Sequence, residues 1–181
     1  SMNGIDEDHL CRMPVALSDV LAAHQMKEAI LIALLHKMKT GKGSYLTVSL
    51  YDTAIASLTN QATNYLIAAH IPKPLGCKHP NIAPYGDYFL THDGKNFLLA
   101  VGNDRQFSHL LKILGLEKQS DFDTNALRVV NREKLKNLLS AAILKIDSTT
   151  LSNRMNEHKI PGGIIQNIKE DDFDILLIDK L

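Results

Sequence analysis

Cysteine is scarce in this sequence, and so is every pattern that would use it. Cys11 and Cys77 stand alone, with no C-x-x-C pairing and no histidine at zinc-ligand spacing, which argues against a disulfide framework or a structural zinc site. A reducing cytoplasm is the expected location. Net charge is lacking too: 20 basic residues offset 20 acidic ones, so no overall field draws nucleic acid, an anionic membrane surface or a polyanionic substrate. Long apolar runs are missing as well. The longest, Ala29 to Leu35, falls far short of the roughly 20 residues of a membrane span, and SMNGIDEDHL does not read as a signal peptide. The eight histidines include no H-x-x-x-H pair on one helix face, and neither G-x-S-x-G nor a Cys/His nucleophile signature occurs. Metal catalysis and serine or cysteine hydrolysis therefore have no support. There is no internal repeat and no low-complexity segment.

What the chain does have is an ordinary globular balance: 181 residues, 45% hydrophobic and 22% charged, enough for one generous domain or two small ones. From Asp19 to Lys39, apolar residues Ala23, Met26, Ile30, Ala33 and Leu34 recur at helical steps, which predicts a helix of about five turns whose C-terminal half is largely buried. TGKG, Thr40 to Gly43, reads as the turn that stops it. A phosphate cradle would need a strand before the glycines and a helix after, the reverse of this order. SYLTVSLY alternates and is β-branched, so Ser44 to Leu50 is expected to be a strand. A second helix is expected at once, its stripe running from Ala54 to Ala69.

After His70 the segment HIPKPLGCKHPNIAPYGD carries four of the six prolines and ends the helical pattern. The expected organisation is a first domain at 1–70, a proline-rich linker at 71–87 and a small α+β domain at 88–181. In the last, YFLTHDGKNFLLAVGND predicts a hairpin around Asp93-Gly94. A helix with Phe107, Leu110, Leu111 and Leu114 on one face follows, with Asn103 or Asp104 as its cap. Further helices are expected from Asn131 to Ile146 and from near Ser148 to before Pro161, then a turn and strand at IPGGIIQNI. The tail EDDFDILLIDKL matches no single element.

Three places carry groups that could do chemistry. Asp19, beside Ser18 at a helix start, has the position of a cap or dipole partner, because carboxylates are favoured there in any protein. His79, Pro80, Asn81 and Tyr85 put polar groups into a proline-stiffened loop, and such loops often line a site or merely cross over. Asn103 and Asp104 open a helix, where a cap is the simplest reading.

Taken together and in order, PVALSDVLAAHQMKEAILIALLHKMKTGKGSYLTVSLYDTAIASL, KHPNIAPYGDYF, DGKNFLLAVGNDRQF, TNALRVVNREKL and IPGGIIQNI resemble the family III CoA-transferases, the group of formyl-CoA transferase, carnitine CoA-transferase and α-methylacyl-CoA racemase. The resemblance runs from about Arg12 to Ile168. Family members are longer, with an N-terminal nucleotide-fold half and a C-terminal return segment, so it implies a partial chain lacking the N-terminal half. The implied fold class is mixed α/β: part of a large nucleotide-fold-like domain, read as helix-strand-helix, then a smaller α+β domain with a β-hairpin and helices.

The resemblance implies that Asp19 is the catalytic nucleophile, moving CoA from an acyl-CoA thioester to a carboxylic acid acceptor through covalent aspartyl intermediates. It implies no tightly bound cofactor, the coenzyme A thioester being substrate. It also implies a homodimer of interlaced chains or a missing N-terminal half as partner, with no nucleic acid and no membrane. Leu50 matches a CoA-contacting position, and His79, Asn81 and Asp104 are the other expected substrate or CoA contacts. Asp104 also matches a racemase acid/base carboxylate, but the wording GNDRQF is typical of the transferase side. The loop from Gly76 to Tyr85 carries HPN where formyl-CoA transferases place glycines, which leaves a dicarboxylic acid other than oxalate open. A 2-methylacyl-CoA racemase and a non-catalytic interaction module are the alternative readings.

Overall fold

A computed structural model describes residues 2–167 and 169. It divides into two units, Ser1–Gly76 and Cys77–Leu181. The tail EDDFDILLIDKL lies outside the described residues.

In the first unit α1 spans Leu17–Thr40 and stops where the sequence says it should. Gly41 sits at φ 70, and its N–H returns to the Lys37 carbonyl at 2.8 Å. Only a residue without a Cβ takes that left-handed position cheaply. The helix start differs from expectation: Ala16 occupies the N-cap position without a side-chain bond, and Asp19 lies inside the first turn. The expected burial of α1 is also corrected. None of its residues is buried, and Ile32 and Met38 are 67% and 83% exposed. An apolar stripe is hidden only where another surface covers it, and within this unit α1 packs chiefly on α2.

Two further expectations fail here. Residues 42–49 form no strand, because a strand needs a hydrogen-bonded neighbour and no other segment of this unit supplies one. The single helix expected to follow is two: α2, Leu50–Ala56, and α3, Thr59–Ala68. Ser49 caps α2 by accepting from the Asp52 N–H at 3.1 Å, the chain turns at 57–58, and Thr59, which opens α3, takes a positive φ of 42. One part-buried hydrogen bond ties α2 to α1: the Thr53 hydroxyl donates to Gln25 Oε1 at 2.8 Å and lies 2.8 Å from the Ser49 carbonyl.

The second unit follows its pattern closely. Strands β1, Tyr85–Leu90, and β2, Asn96–Ala100, form the hairpin around Asp93-Gly94, and β3, Gly162–Ile164, adds to β2, giving an antiparallel order β1-β2-β3. The register places Phe89 opposite Phe97 and Leu98 opposite Gly163. A bulge near the start of β1 centres on Gly86 at φ 82, where a Cβ would overlap the Cys77 carbonyl. Helix α4 is Asp104–Ile113; a 3-10 turn, Ser120–Phe122, leads to α5, Asn125–Val130, α6, Arg132–Ile143, and α7, Ser148–Glu157. The helix expected to reach Ile146 closes three residues earlier in a tightened last turn, where the N–H of Ile146 bonds the Ile143 carbonyl.

Alternate residues of the strands, Phe89, Phe97 and Leu99, meet Phe107, Leu110 and Leu111 of α4, Leu135 and Leu139 of α6, and Leu151 and Met155 of α7. Each buried aliphatic or aromatic side chain contributes about 1.5–3 kcal/mol. The buried aliphatic and aromatic residues that form the core all lie in this unit.

The hairpin turn also binds the first residue of α7, the helix that Asp147 caps by accepting from the Thr150 N–H at 2.8 Å. Asp93 accepts from the Ser148 hydroxyl at 2.7 Å, the Ser148 N–H at 2.9 Å and the Thr91 hydroxyl at 2.7 Å. These bonds, the Ser148 hydroxyl first, hold its carboxyl well below the usual carboxylate range. A depressed folded-state value adds stability above the unfolded value of about 4, and that stability is lost as pH falls below it. Asp93→Ala is expected to lower Tm at neutral pH and to flatten the fall of Tm below about pH 4. Calorimetry across that range checks it, and an acid limb as steep as the parent's would contradict it.

Candidate active site

In the first unit Asp19 stands in the first turn of α1, exposed, with no side-chain hydrogen bond or ion pair to other described residues. A carboxylate there faces amides that have no intrahelical partner. Leu50 opens α2 and is 52% exposed. The Gln25–Thr53 bond joins the helices that carry the two residues.

In the second unit the expected residues His79, Asn81 and Asp104 are connected by side chains of α5 and of the first residue of α6. The loop 79–84 has no ladder of its own; the His79 N–H and the Pro84 carbonyl bond backbone groups of Tyr85 and Val101, and several of its other backbone groups are met by side chains. Asn125 of α5 accepts from the Ala83 N–H at 3.1 Å and donates to the Asn81 carbonyl at 2.7 Å. Arg132 Nη2 donates to the carbonyls of His79 at 2.6 Å and Ile82 at 3.2 Å. Arg128 is 1% exposed and donates from Nε to the Ala83 carbonyl at 2.8 Å, from Nη1 to the Phe122 carbonyl at 3.1 Å, and from Nη2 to Asp104 Oδ1 at 2.5 Å. Its guanidinium lies 4.4 Å from the Phe107 ring centroid.

Asp104 is thus engaged by Arg128 while its side chain stays 61% exposed. The cap of α4 is Asn103, which accepts from the Gln106 N–H at 2.9 Å, so the choice between Asn103 and Asp104 as cap resolves to Asn103. His79 packs edge-on against Tyr85 at 5.3 Å, and its Nδ1 accepts from the Asn81 N–H at 3.1 Å. Burial, then the nearby Arg132, lowers its pKa, favouring the neutral ring that this acceptor role requires. Asp87 is buried 4.0 Å from Arg132 Nη1; desolvation raises its pKa and Arg132 opposes the rise.

The spacing could have shown this set. Asn125, Arg128 and Arg132 recur at steps of three and four, and Arg128 sits inside the apolar run ALRVV. A charged residue within an apolar stripe is the signal, since arginine is almost never fully buried unless paired. Among the described residues no group of three or more His, Cys, Asp or Glu could hold a metal ion, and no helix is long and apolar enough to cross a membrane.

Known proteins resemble this chain over most of its length. The profile of CoA-transferase family III matches residues 1–173. A succinate–glutarate CoA-transferase of Agrobacterium fabrum is 35% identical over 94% of this chain, and a succinyl-CoA:glutarate CoA-transferase of Mus musculus is 33% identical over 93%. The chain spans 43% and 39% of those two proteins. Among solved structures, a CAIB/BAIF family protein of Brucella suis is similar with a TM-score of 0.74 and 32% identity, covering 99% of this chain and 48% of that one.

Removing the Arg128 guanidinium leaves two carbonyls without their donor. Arg128→Met is expected to cost about 3 kcal/mol. Asp104→Asn, at an exposed partner, should cost under about 1 kcal/mol. Denaturant midpoints at unchanged m-value measure both; equal losses would contradict the assignment of the cost to the buried carbonyls.

Proposed function

Because the chain belongs to CoA-transferase family III, we propose that it takes part in moving coenzyme A between an acyl-CoA thioester and a carboxylic acid, with Asp19 as nucleophile. The Asp19 carboxylate attacks the thioester carbonyl, forming an aspartyl mixed anhydride and expelling the CoA thiolate. The thiolate attacks the aspartyl carbonyl, giving an aspartyl-CoA thioester and releasing the donor acid. The acceptor carboxylate then attacks the aspartyl-CoA thioester, breaking its C–S bond to expel the thiolate and form a second anhydride, and the thiolate attacks the acceptor acyl carbon of that anhydride, so that the new acyl-CoA departs and Asp19 is regenerated. Each step conserves the thiolate, and no cofactor is required.

The observation that carries this reading is the match over residues 1–173 with Asp19 at a free helix start. The helix N-terminus offers amides to an oxyanion. Ala22 and Ala23, one turn on, leave room for a bulky thioester. We take the substrates to be dicarboxylic, succinyl-CoA with glutarate or a similar acid, on the strength of the two relatives named above and of HPN at 79–81 in place of a glycine loop. Leu50, His79, Asn81 and Asp104 are the proposed substrate and CoA contacts.

The apolar side chains left exposed on α1, α2 and α3 support a second polypeptide surface against this unit, which we read as another copy of the protein. The two free cysteines fit a reducing cytoplasm. Incubation with succinyl-CoA followed by hydroxylamine or borohydride is expected to modify Asp19, as read by peptide mass spectrometry. Asp19→Asn should lower CoA exchange by about 10³-fold or more. An unmodified Asp19 in a sample that binds CoA would overturn the assignment.

A further inference from the structure

A local charge imbalance in the second unit lies where the start of α4 meets the end of α7. A cleft of about 220 Å³ is lined by Asn103, Arg105, Gln106, His109, His158 and Lys159. Two permanent cations and two imidazoles face it and no carboxylate does, in a chain whose charges otherwise balance. The two imidazole rings meet edge to face with centroids 5.8 Å apart. Among the described residues, the side chains of Arg105, His109, His158 and Lys159 make no ion pair or hydrogen bond.

The neighbouring acids do not relieve this. Asp104 is committed to Arg128, and Glu157 lines the adjoining cleft with two more cations, Lys112 and Arg154. The helix start is not what the cleft offers, since Asn103 accepts from the Gln106 N–H and Gln106 Oε1 accepts from the Gly102 N–H at 2.9 Å. What remains is a set of side-chain donors. Arginine and lysine are donors only, and unpaired like charges held together are an unfavourable arrangement that an anion would relieve. The volume lies below the roughly 300 Å³ at which drug-sized ligands begin to fit, which excludes a whole nucleotide.

We propose that this cleft binds a small phosphate-type dianion, inorganic phosphate or the end group of a phosphate monoester, gripped by Arg105 and Lys159 between His109 and His158. Guanidinium and ammonium groups are the usual partners of phosphate oxygens. The site does not depend on Asp19 or on CoA transfer.

The test is a titration of the full chain with inorganic phosphate at constant ionic strength, read from the histidine ring resonances. Saturable shifts at His109 and His158, with His70 and His92 unmoved, are expected. The exposed pair R105Q/K159Q should weaken binding about tenfold or more while leaving the Tm of the second unit in place. Absence of saturation, equal movement of all eight rings, or unchanged affinity in the double variant would overturn the proposal. The single variant R105E gives an independent check, and it too must weaken binding. Glycerol 3-phosphate run in parallel separates the sources: shifts matching those of inorganic phosphate mean that an esterified phosphate is taken, and shifts with inorganic phosphate alone mean the free ion. Equal shifts with succinate would overturn the phosphate assignment.

Discussion

The buried guanidinium of Arg128 is the interaction on which the arrangement of the second unit depends. An arginine cannot shed its charge by losing a proton, so a fully buried one must be surrounded by acceptors. Here the acceptors come from three separate places: the Ala83 carbonyl of the proline-rich loop, the Phe122 carbonyl of the 3-10 turn, and Asp104 at the start of α4. Satisfying one side chain therefore fixes three segments that share no regular secondary structure with one another. Arg132 and Asn125 extend the same device to His79, Asn81 and Ile82. A loop of that composition could not be held by a ladder, because two of its residues are prolines without N–H groups. Side chains of the following helices take over the role.

The two units solve burial differently. The second closes its own core, with strand residues on one side and helix faces on the other. The first leaves Ile30, Leu31, Ile32, Leu34 and Leu35 in contact with solvent, more apolar surface than isolated exposed residues explain. Its internal order rests on capping, on the Gln25–Thr53 bond and on helix propensity. Residues 42–49 illustrate the same deficit, an alternating β-branched segment with no strand beside it. The chain spans 43% of the length of the relative that is 35% identical to it.

Much of the second unit was legible in the sequence, because there local propensity and tertiary packing agree. The Asp93-Gly94 turn, the α4 stripe and the stop before Pro161 each follow from chemistry within a few residues. Two of the failures are cases in which a distant partner decides. The burial of α1 and the strand at 44–50 were inferred from patterns that presuppose a covering layer, and the break at 57–58 has no proline or glycine to announce it. For the site, Asp19 reads from pattern alone as a cap, yet the cap position falls on Ala16. The side chain so released from structural duty is the one the family resemblance implies as nucleophile. Arg128 and Arg132 escaped notice because pattern reading sorts arginines onto the solvent face.

The central claim is that CoA passes through the carboxylate of Asp19. Oxygen tracing tests it most directly, since regenerating Asp19 from the second anhydride leaves one acceptor oxygen on the aspartate. After turnover with succinyl-CoA and ¹⁸O-labelled glutarate, the peptide containing Asp19 is predicted to carry heavy oxygen on that side chain and nowhere else. Formation of glutaryl-CoA with Asp19 left unlabelled would contradict the account.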